Sequence, residues 1–417
     1  MPEEAAGQIC APAVSGCPRP RPRSFDPWLR ARVLRALRTV QDGIITIVDG
    51  DAGVTCGTPA ADGLRAVVRV RHPQFYARVV TGGSLGAAES YLDGEWTTDN
   101  LVALVRIFAR NLDRLSSFDG WTTQIAQFLA RLGQWTRRNT RSGSRRNIAA
   151  HYDLSNEFFE LFLDPTMQYS SACFASEDMS LEEASRNKLE RVCRKLELTS
   201  RDHLLEIGTG WGALAEFAAR QHGCRVTSTT ISARQFAYAT ERVRQKGMQD
   251  QVTLLNNDYR DLRGQYDKLV SIEMIEAVGR SFLGEYFRVC DRLLKTGGRL
   301  LIQAIVLPEQ RFDGYRRSVD FIQKYVFPGG FLPTVAAMQQ AVGEQTRLRL
   351  VALDEFASSY ALTLREWRHR FMARREDVRQ LGFDDRFLRL WEYYLCYCEA
   401  AFRERATGVV QMEWVKV

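Results

Sequence analysis

The residues in this 417-residue chain best placed to do chemistry are Glu206, Gly208, Gly210 and Gly212, set at alternate positions in Leu204-Leu205-Glu206-Ile207-Gly208-Thr209-Gly210-Trp211-Gly212. His203 to Ile207 reads as a short buried parallel strand, and from Trp211 the apolar residues Leu214, Phe217 and Ala218 take up helical spacing. Glycines between a strand and a helix let the backbone turn sharply and approach a ligand with no Cβ in the way. Glu206 ends the strand as a carboxylate beside whatever sits on those glycines. The stretch therefore predicts a nucleotide-type pocket at the carboxyl edge of a parallel sheet.

A dinucleotide site spaces its glycines G-x-G-x-x-G. Here they alternate, and the pattern resembles motif I of the class I methyltransferases, whose glycines face the methionine end of S-adenosylmethionine (SAM). A purely structural turn accounts for two such glycines. The preceding acid and the strand-to-helix setting favour SAM.

The rest of the chain must position that loop. With 45% apolar and 26% charged residues it is an ordinary globular composition, long enough for two domains. The net charge of +7 suits an anionic partner, although solubility alone accounts for a surplus of this size. Nine cysteines occur without C-x-x-C pairs and the five histidines form no ligand cluster, so no metal site or disulfide framework is legible. Cys396-x-Cys398 reads as helix packing. The start, Met-Pro-Glu-Glu, lacks a signal-peptide profile, and no apolar run approaches the roughly 18 residues of a membrane span. The expectation is a cytoplasmic protein that meets a membrane, if at all, peripherally on its inner face.

Residues 1–24, small and rich in Pro and Arg, read as a disordered tail. Residues 25–125 read as a small N-terminal α/β domain associated with lipid or membrane. It opens on a basic amphipathic helix from Trp28 to Arg38, continues through strands at Ile44–Val48, Ala66–Val70 and Ala77–Val80, and then turns helical at Leu85–Leu92 and Leu101–Leu112. An Arg-rich connector spans 126–146, with Arg137, Arg138, Arg141, Arg145 and Arg146. Residues 147–417 read as the catalytic domain. A helical hood runs to about Leu198, followed by strands at 203–207, 224–229, 252–255, 267–272 and 298–305 alternating with helices, which is the signature of a doubly wound parallel sheet. An aromatic insertion (Phe312 to Phe331), a long helical stretch (Leu364 to Arg405) and a closing antiparallel pair (Leu348–Leu353, Val409–Val417) complete it.

Several segments together resemble the cyclopropane-fatty-acyl-phospholipid and mycolic acid cyclopropane synthases. They are Ile148-x-x-His151-Tyr152-Asp153, Leu163-Asp164-Pro165-x-Met167-x-Tyr169-Ser170, the glycine loop, Thr230-Ile231-Ser232-x-x-Gln235, Asp258-Tyr259-Arg260-Asp261-Leu262, Glu276-x-Val278-Gly279 and Tyr325-x-Phe327-Pro328-Gly329. The resemblance covers about residues 30 to 405 and implies the class I methyltransferase fold with SAM as cofactor. It implies that Tyr169 and Ser170 close over the sulfonium end, and that Glu206, Gly208, Gly210 and Gly212 form the loop. Thr230 and Gln235 are then polar partners of ribose and methionine, Tyr259 flanks the adenine, and Asp258 accepts from its amine. Thr230 and Ser232 also suit a plain helix N-cap.

In the family a methyl passes to a cis double bond of an acyl chain, and the resulting cation meets aromatic faces before a base takes a proton. Phe312, Tyr315, Phe321, Tyr325, Phe327 and Tyr360 are the candidate rings, most of them equally well explained as core; Arg316 and Arg317 suit lipid phosphates or plain solvent. The resemblance makes Glu276 the residue that holds a bicarbonate base, with a cysteine, a histidine and a tyrosine as its companions. Here the tyrosine is Tyr360, while Ser171 and Gln303 stand at the cysteine and histidine positions. Glu276 either holds the anion or takes the proton itself, and Glu276→Gln is expected to lose turnover with SAM binding kept.

The implied function is transfer of a one-carbon unit from SAM to unsaturated acyl chains of membrane phospholipids, giving a cyclopropane, or alternatively a methyl- or methylene-branched chain. A non-catalytic lipid-binding protein on the same fold is the reading from another class. No Asn-Pro-Pro-Tyr or cysteine-nucleophile motif supports a nucleic-acid methyltransferase, so no nucleic-acid partner is expected; a homodimer is left open.

Overall fold

The computed structural model describes residues 26–51, 53–116 and 154–417. The tail, the connector with its arginines, and the Ile148 to Asp153 motif lie outside those residues.

The chain enters α1 (Pro27–Leu37) through Asp26, whose carboxylate accepts from the amides of Trp28 and Leu29, with Pro27 in the first turn where no amide is needed. A four-stranded sheet follows, β1 (Gly43–Val48), β2 (Gly53–Thr58), β3 (Arg65–Val70) and β4 (Trp96–Thr98), in the order β2-β1-β3-β4. Between β3 and β4 lies α2 (Gln74–Leu92), and after β4 come α3 (Leu101–Arg110) and α4 (Leu112–Ser116). The expected strand Ala77–Val80 is therefore helical. Its Ala-Arg-Val-Val run has strand character only in isolation. Phe75 and Tyr76 are buried and the first helical stretch runs on to Gly83, whose non-helical backbone at φ 56° makes a kink before a second helical stretch continues to Leu92.

The second unit begins with α5 (Asn156–Glu160) and α6 (Leu181–Lys195), the latter opened by a reciprocal Ser180/Glu183 cap. Then β5 (His203–Ile207), α7 (Ala213–His222), β6 (Arg225–Thr229), α8 (Ala233–Gln245), β7 (Val252–Leu255), β8 (Tyr266–Ile272), α9 (Leu283–Leu293) and β9 (Leu294–Val306) alternate as expected. They are followed by α10 (Glu309–Tyr315), a π-helical turn at Ile322–Val326, α11 (Val335–Gln345), β10 (Leu348–Glu355), α12 (Ala357–Ala373), α13 (Arg375–Gln380), α14 (Asp385–Arg403) and β11 (Gly408–Lys416). The seven-stranded sheet runs β10-β11-β9-β8-β5-β6-β7, parallel from β9 to β7, with β11 antiparallel to both β9 and β10. This is the doubly wound sheet with its antiparallel closing pair.

Each face of the large sheet carries its own core, one built with α9 and α11 and the other with α6, α7 and α8. A third core is continuous from the small sheet, through α3, into α12 and α14. The small unit is thus packed on the catalytic one by shared apolar contact. Arg106 and Arg110 of α3 reinforce the seam by donating to Glu404 just beyond α14, at 2.6 and 2.8 Å.

Candidate active site

The glycine loop is built as its sequence demands. Gly208, Gly210 and Gly212 have φ of 107°, 52° and 87°, a region that side chains with a Cβ rarely enter. A Cβ on Gly210 would meet nothing within 4 Å, because it would project into a cavity of about 950 Å³. That cavity is lined by Tyr169, Ser170, Glu206, Gly208, Gly210, Thr230, Gln235, Asp258, Tyr259, Glu276 and Tyr360, all expected at the site. Gly212 stands behind the lining, where a Cβ would press on Ala239 at 3.2 Å.

The polar wall beside the loop is tied together. Ser228 donates to Glu206 at 2.5 Å, Thr209 and Ser228 hydroxyls meet at 2.7 Å, and Thr230 donates to the side-chain amide oxygen of Gln235 at 3.0 Å. Burial pushes the Glu206 carboxyl up to about 8 against the opposing effects of Ser228 and Lys188. Ser232 does cap α8, accepting from the Gln235 amide at 3.3 Å. Asp258 is gripped by the Arg260 guanidinium at 2.9 and 2.6 Å, and that guanidinium also lies over the Tyr259 ring at 5.5 Å.

Lys188 was not evident as a site residue from the sequence. It lies on α6, 1% exposed, and its ammonium donates to Ser170 Oγ at 2.6 Å on the cavity wall. Burial drives its pKa down, while Glu273, Asp164 and Glu206 work the other way. A readable signal existed, since Lys188 interrupts the apolar stripe Leu181, Ala184, Leu189, Val192 of an otherwise regular amphipathic helix.

The three companions expected around Glu276 do assemble, but around a different carboxylate. Glu273 Oε1 accepts from the Ser171 amide at 2.8 Å and from Gln303 Nε2 at 2.7 Å, and Glu273 Oε2 accepts from the Tyr360 hydroxyl at 2.8 Å. Gln303 is held in that orientation from β11: Gln411 Nε2 donates to Gln303 Oε1 at 3.0 Å, from the position directly opposite on the neighbouring strand. Tyr360 is stacked on Phe402 with ring centres 4.4 Å apart. Glu273 itself sits just past β8 at φ 47°, lining the cavity.

Glu276 is differently placed. One oxygen accepts from the Ile305 amide at 2.6 Å and the other is buried with no hydrogen-bond partner. Burial, and then the nearby Glu273 charge, push its carboxyl up to about 8. The two acids are therefore divided in role. Burial also raises Glu273, but three donors and the Lys188 charge favour its ionised form, whereas Glu276 is set to be neutral near pH 7. The donors that the resemblance assigned to a bicarbonate are spent on Glu273, so the site does not fit that anion.

Of the six candidate rings, Tyr315, Phe327 and Tyr360 line the cavity. Phe321 is core, edge-on to Tyr393 at 4.7 Å; Tyr325 donates to Glu89 of the small unit at 2.8 Å; Phe312 packs on Phe331 at 5.8 Å. Arg316 pairs with Asp313, and Arg317 donates to its carbonyl, on the outer surface. The sequence reading missed Tyr393, Tyr394 and Tyr397 of α14, which also face the cavity. Beyond these rings the lining continues without interruption into the small unit, where Ile45, Val68, Phe75, Leu104 and Val105 give it an apolar wall.

No group of three or more His, Cys, Asp or Glu among the described residues is arranged to hold a metal. No helix among the described residues is long and apolar enough to cross a membrane.

The family model for mycolic acid cyclopropane synthetase matches residues 139–412. The chain is 38% identical over 97% of its length to the tuberculostearic acid methyltransferase UfaA1 of Mycobacterium tuberculosis, covering 95% of that protein. It is also 38% identical over 82% of its length to the cyclopropane-fatty-acyl-phospholipid synthase of Escherichia coli, covering 85% of it. Among solved structures, the mycolic acid cyclopropane synthase CmaA1 complexed with SAH and CTAB aligns with TM-score 0.62 at 28% identity, over 65% of this chain and 98% of that one. The cyclopropane synthase MmaA2 from Mycobacterium tuberculosis aligns with TM-score 0.61 at 29% identity, over the same shares. A glycine loop of this shape, at the carboxyl edge of this sheet and matched along most of the chain, makes the protein a SAM-dependent methyltransferase belonging to the mycolic acid cyclopropane synthetase family.

Proposed function

We propose that the protein methylates the cis double bond of unsaturated acyl chains in phospholipids and that the cation so formed loses a proton as a cyclopropane closes. The observation that carries this reading is the cavity running from the glycine loop, past the acids Glu273 and Glu276, to the apolar residues of the small unit. At about 950 Å³ it lies near the top of the range of roughly 300–1,000 Å³ for small-molecule sites, which leaves room for a cofactor and a chain together.

SAM, when bound, supplies an electrophilic methyl group. The residues of this chain do the rest. Glycines 208 and 210 leave space for the donor's methionine end, and Lys188 with Ser170 offers hydrogen-bond donors beside it. Tyr315, Phe327, Tyr360 and Tyr394 line the cavity, where a ring face presented to the reacting carbons favours positive charge and the rings together exclude water. The small unit holds the remainder of the acyl chain in its apolar wall.

A second reading, a methylene-branched product, is favoured by the replacement of cysteine and histidine at Ser171 and Gln303. It draws further support from a relative named as a tuberculostearic acid methyltransferase that aligns along nearly the whole chain. Here the cation migrates by a hydride shift before the proton leaves the same methyl group, and no reductant is required.

We further propose peripheral binding to an anionic bilayer through α1. Its apolar side is largely spent on the small unit, with Val33, Leu34 and Leu37 buried and Arg30 paired with Asp49. What remains outward is Arg35, Arg38 and an exposed Trp28. The test incubates purified protein with vesicles of a monounsaturated anionic phospholipid and methyl-labelled SAM. Released fatty acids should carry the label, and proton NMR separates ring from methylene. Unlabelled lipid at all salt concentrations would refute the reading.

A further inference from the structure

We infer that Glu273 is the built-in base of this enzyme: its side-chain carboxylate fills the site in which a free carbonate-type anion would otherwise be held, and it takes the departing proton itself. The inference rests on the acyl-chain reading for its substrate, but the occupied site stands on geometry alone.

Three donors from three separate parts of the chain converge on one carboxylate: the backbone amide of Ser171, the amide of Gln303 on β9, and the hydroxyl of Tyr360 on α12. Convergence of that kind is what a small planar oxyanion requires. Gln303 is further locked by Gln411, so its donor cannot rotate away without leaving a buried amide oxygen unpaired. A left-handed backbone at Glu273, φ 47°, is unfavourable for a glutamate, and the three hydrogen bonds are what compensates it. The carboxylate is thus directed into the site by local strain and held there by its donors.

The proton balance closes without any added reagent. The alkene's π electrons form the new C–C bond as the C–S bond breaks, leaving a cation on the adjacent carbon. A C–H electron pair of the transferred methyl then closes the ring, or forms the methylene double bond after a hydride shift. The released proton goes to Glu273 Oε2, which carries one hydrogen bond where Oε1 carries two. Glu276, neutral and one turn away in sequence, does not compete for it. The proton later leaves to solvent as the product departs.

Glu273→Gly is the decisive substitution. Glycine adopts this backbone without strain, and the loss of the side chain vacates the site while leaving its three donors. Binding of 13C-labelled bicarbonate, followed by NMR, should be absent in the wild-type protein and present in Glu273→Gly. This measurement needs no lipid and so does not depend on the substrate reading. In turnover, the wild type should be indifferent to removal of carbonate from the buffer. Glu273→Gly should lose about 100-fold or more, as expected for loss of a general base, and regain much of it on addition of bicarbonate or formate. Glu273→Gln should lose as much and gain nothing from either anion, because its amide still fills the space. Bicarbonate binding or bicarbonate-dependent turnover in the wild type would overturn the inference, as would near-normal turnover of Glu273→Gly in carbonate-free buffer. Failure of the substrate reading shows separately, as wild-type protein that labels no lipid under any anion while the binding result stands.

Discussion

Glu276→Gln should make the protein more stable at alkaline pH than the wild type. The folded protein holds the Glu276 carboxyl up to about 8, because it is buried and lies near the Glu273 charge, whereas the unfolded chain restores the ordinary value of 4.5. Between those values the folded state binds a proton that the unfolded state has released. Stability from this group is therefore complete below about pH 4.5 and is lost as pH rises towards 8. Each unit of pH in that window is worth about 1.4 kcal/mol, so between about pH 5.5 and 8 the wild type forfeits about 3 kcal/mol on this account, as an upper bound. The amide of glutamine can still accept from Ile305 and carries no titrating proton, so the variant escapes that loss. Urea denaturation at intervals from pH 5.5 to 8.5 would follow it, with a residual slope left in both proteins by Glu206, which titrates in the same range. Parallel stability curves for the two proteins would refute the assignment of Glu276 as the neutral acid. The same reasoning moves the expected loss of turnover from Glu276→Gln to Glu273, since an amide resembles the form that Glu276 already has near neutrality.

Gly210→Val should reduce SAM affinity at least about 100-fold by calorimetry, since its side chain enters the cavity from a backbone at φ 52°, with backbone strain adding about 1–3 kcal/mol; Gly210→Ala should fall between. Gln411→Leu removes the partner that holds Gln303; it leaves Gln303 Oε1 unpaired but also removes Gln411 Oε1, itself buried with no partner, so the net loss of stability should stay below the roughly 1–3 kcal/mol of one orphaned buried oxygen. By loosening a donor to Glu273 it should also move the acid limb of the pH–rate profile to higher pH, and an unmoved limb with unchanged SAM binding would count against a coupling of Gln411 to Glu273 through Gln303. Leu104→Trp, which fills the apolar wall of the small unit, should raise the KM for long-chain phospholipid and leave SAM binding intact; an unchanged KM would place the chain elsewhere. Vesicle sedimentation should weaken with salt and with Arg35→Glu or Arg38→Glu, each arginine contributing about 1 kcal/mol near an anionic surface.

The loop at Glu206 to Gly212 was legible in the sequence because its requirements are local: an apolar strand, glycines where φ must be positive, and a helix after them. The sheet was legible for a similar reason, as period-two and period-3.6 patterns alternate along residues 203–306. Glu273 was not, because its importance arises from partners 102, 30 and 87 residues away that only the fold brings together. The sole local hint was a second acid three residues before Glu276, at the end of the same strand. The cavity's extension was hidden too, since Ile45, Val68 and Leu104 read as ordinary core until the two units are seen side by side. Residues 77–80 show the opposite failure: β-branched residues predicted a strand where flanking burial imposed a helix.

The seam between the two units acquires a new meaning once its interior is taken as a ligand site. A guest lying in the cavity touches both halves and so acts as mortar between them. Linkage then requires that the docked arrangement and the guest strengthen each other by the same free energy. Breaking the bracket of Arg106 and Arg110 on Glu404 should cost lipid affinity in proportion to how far it loosens docking, with the methyl donor's site, wholly within one half, spared. Departure of a long, greasy product would likewise be paced by the opening of that joint rather than by chemistry.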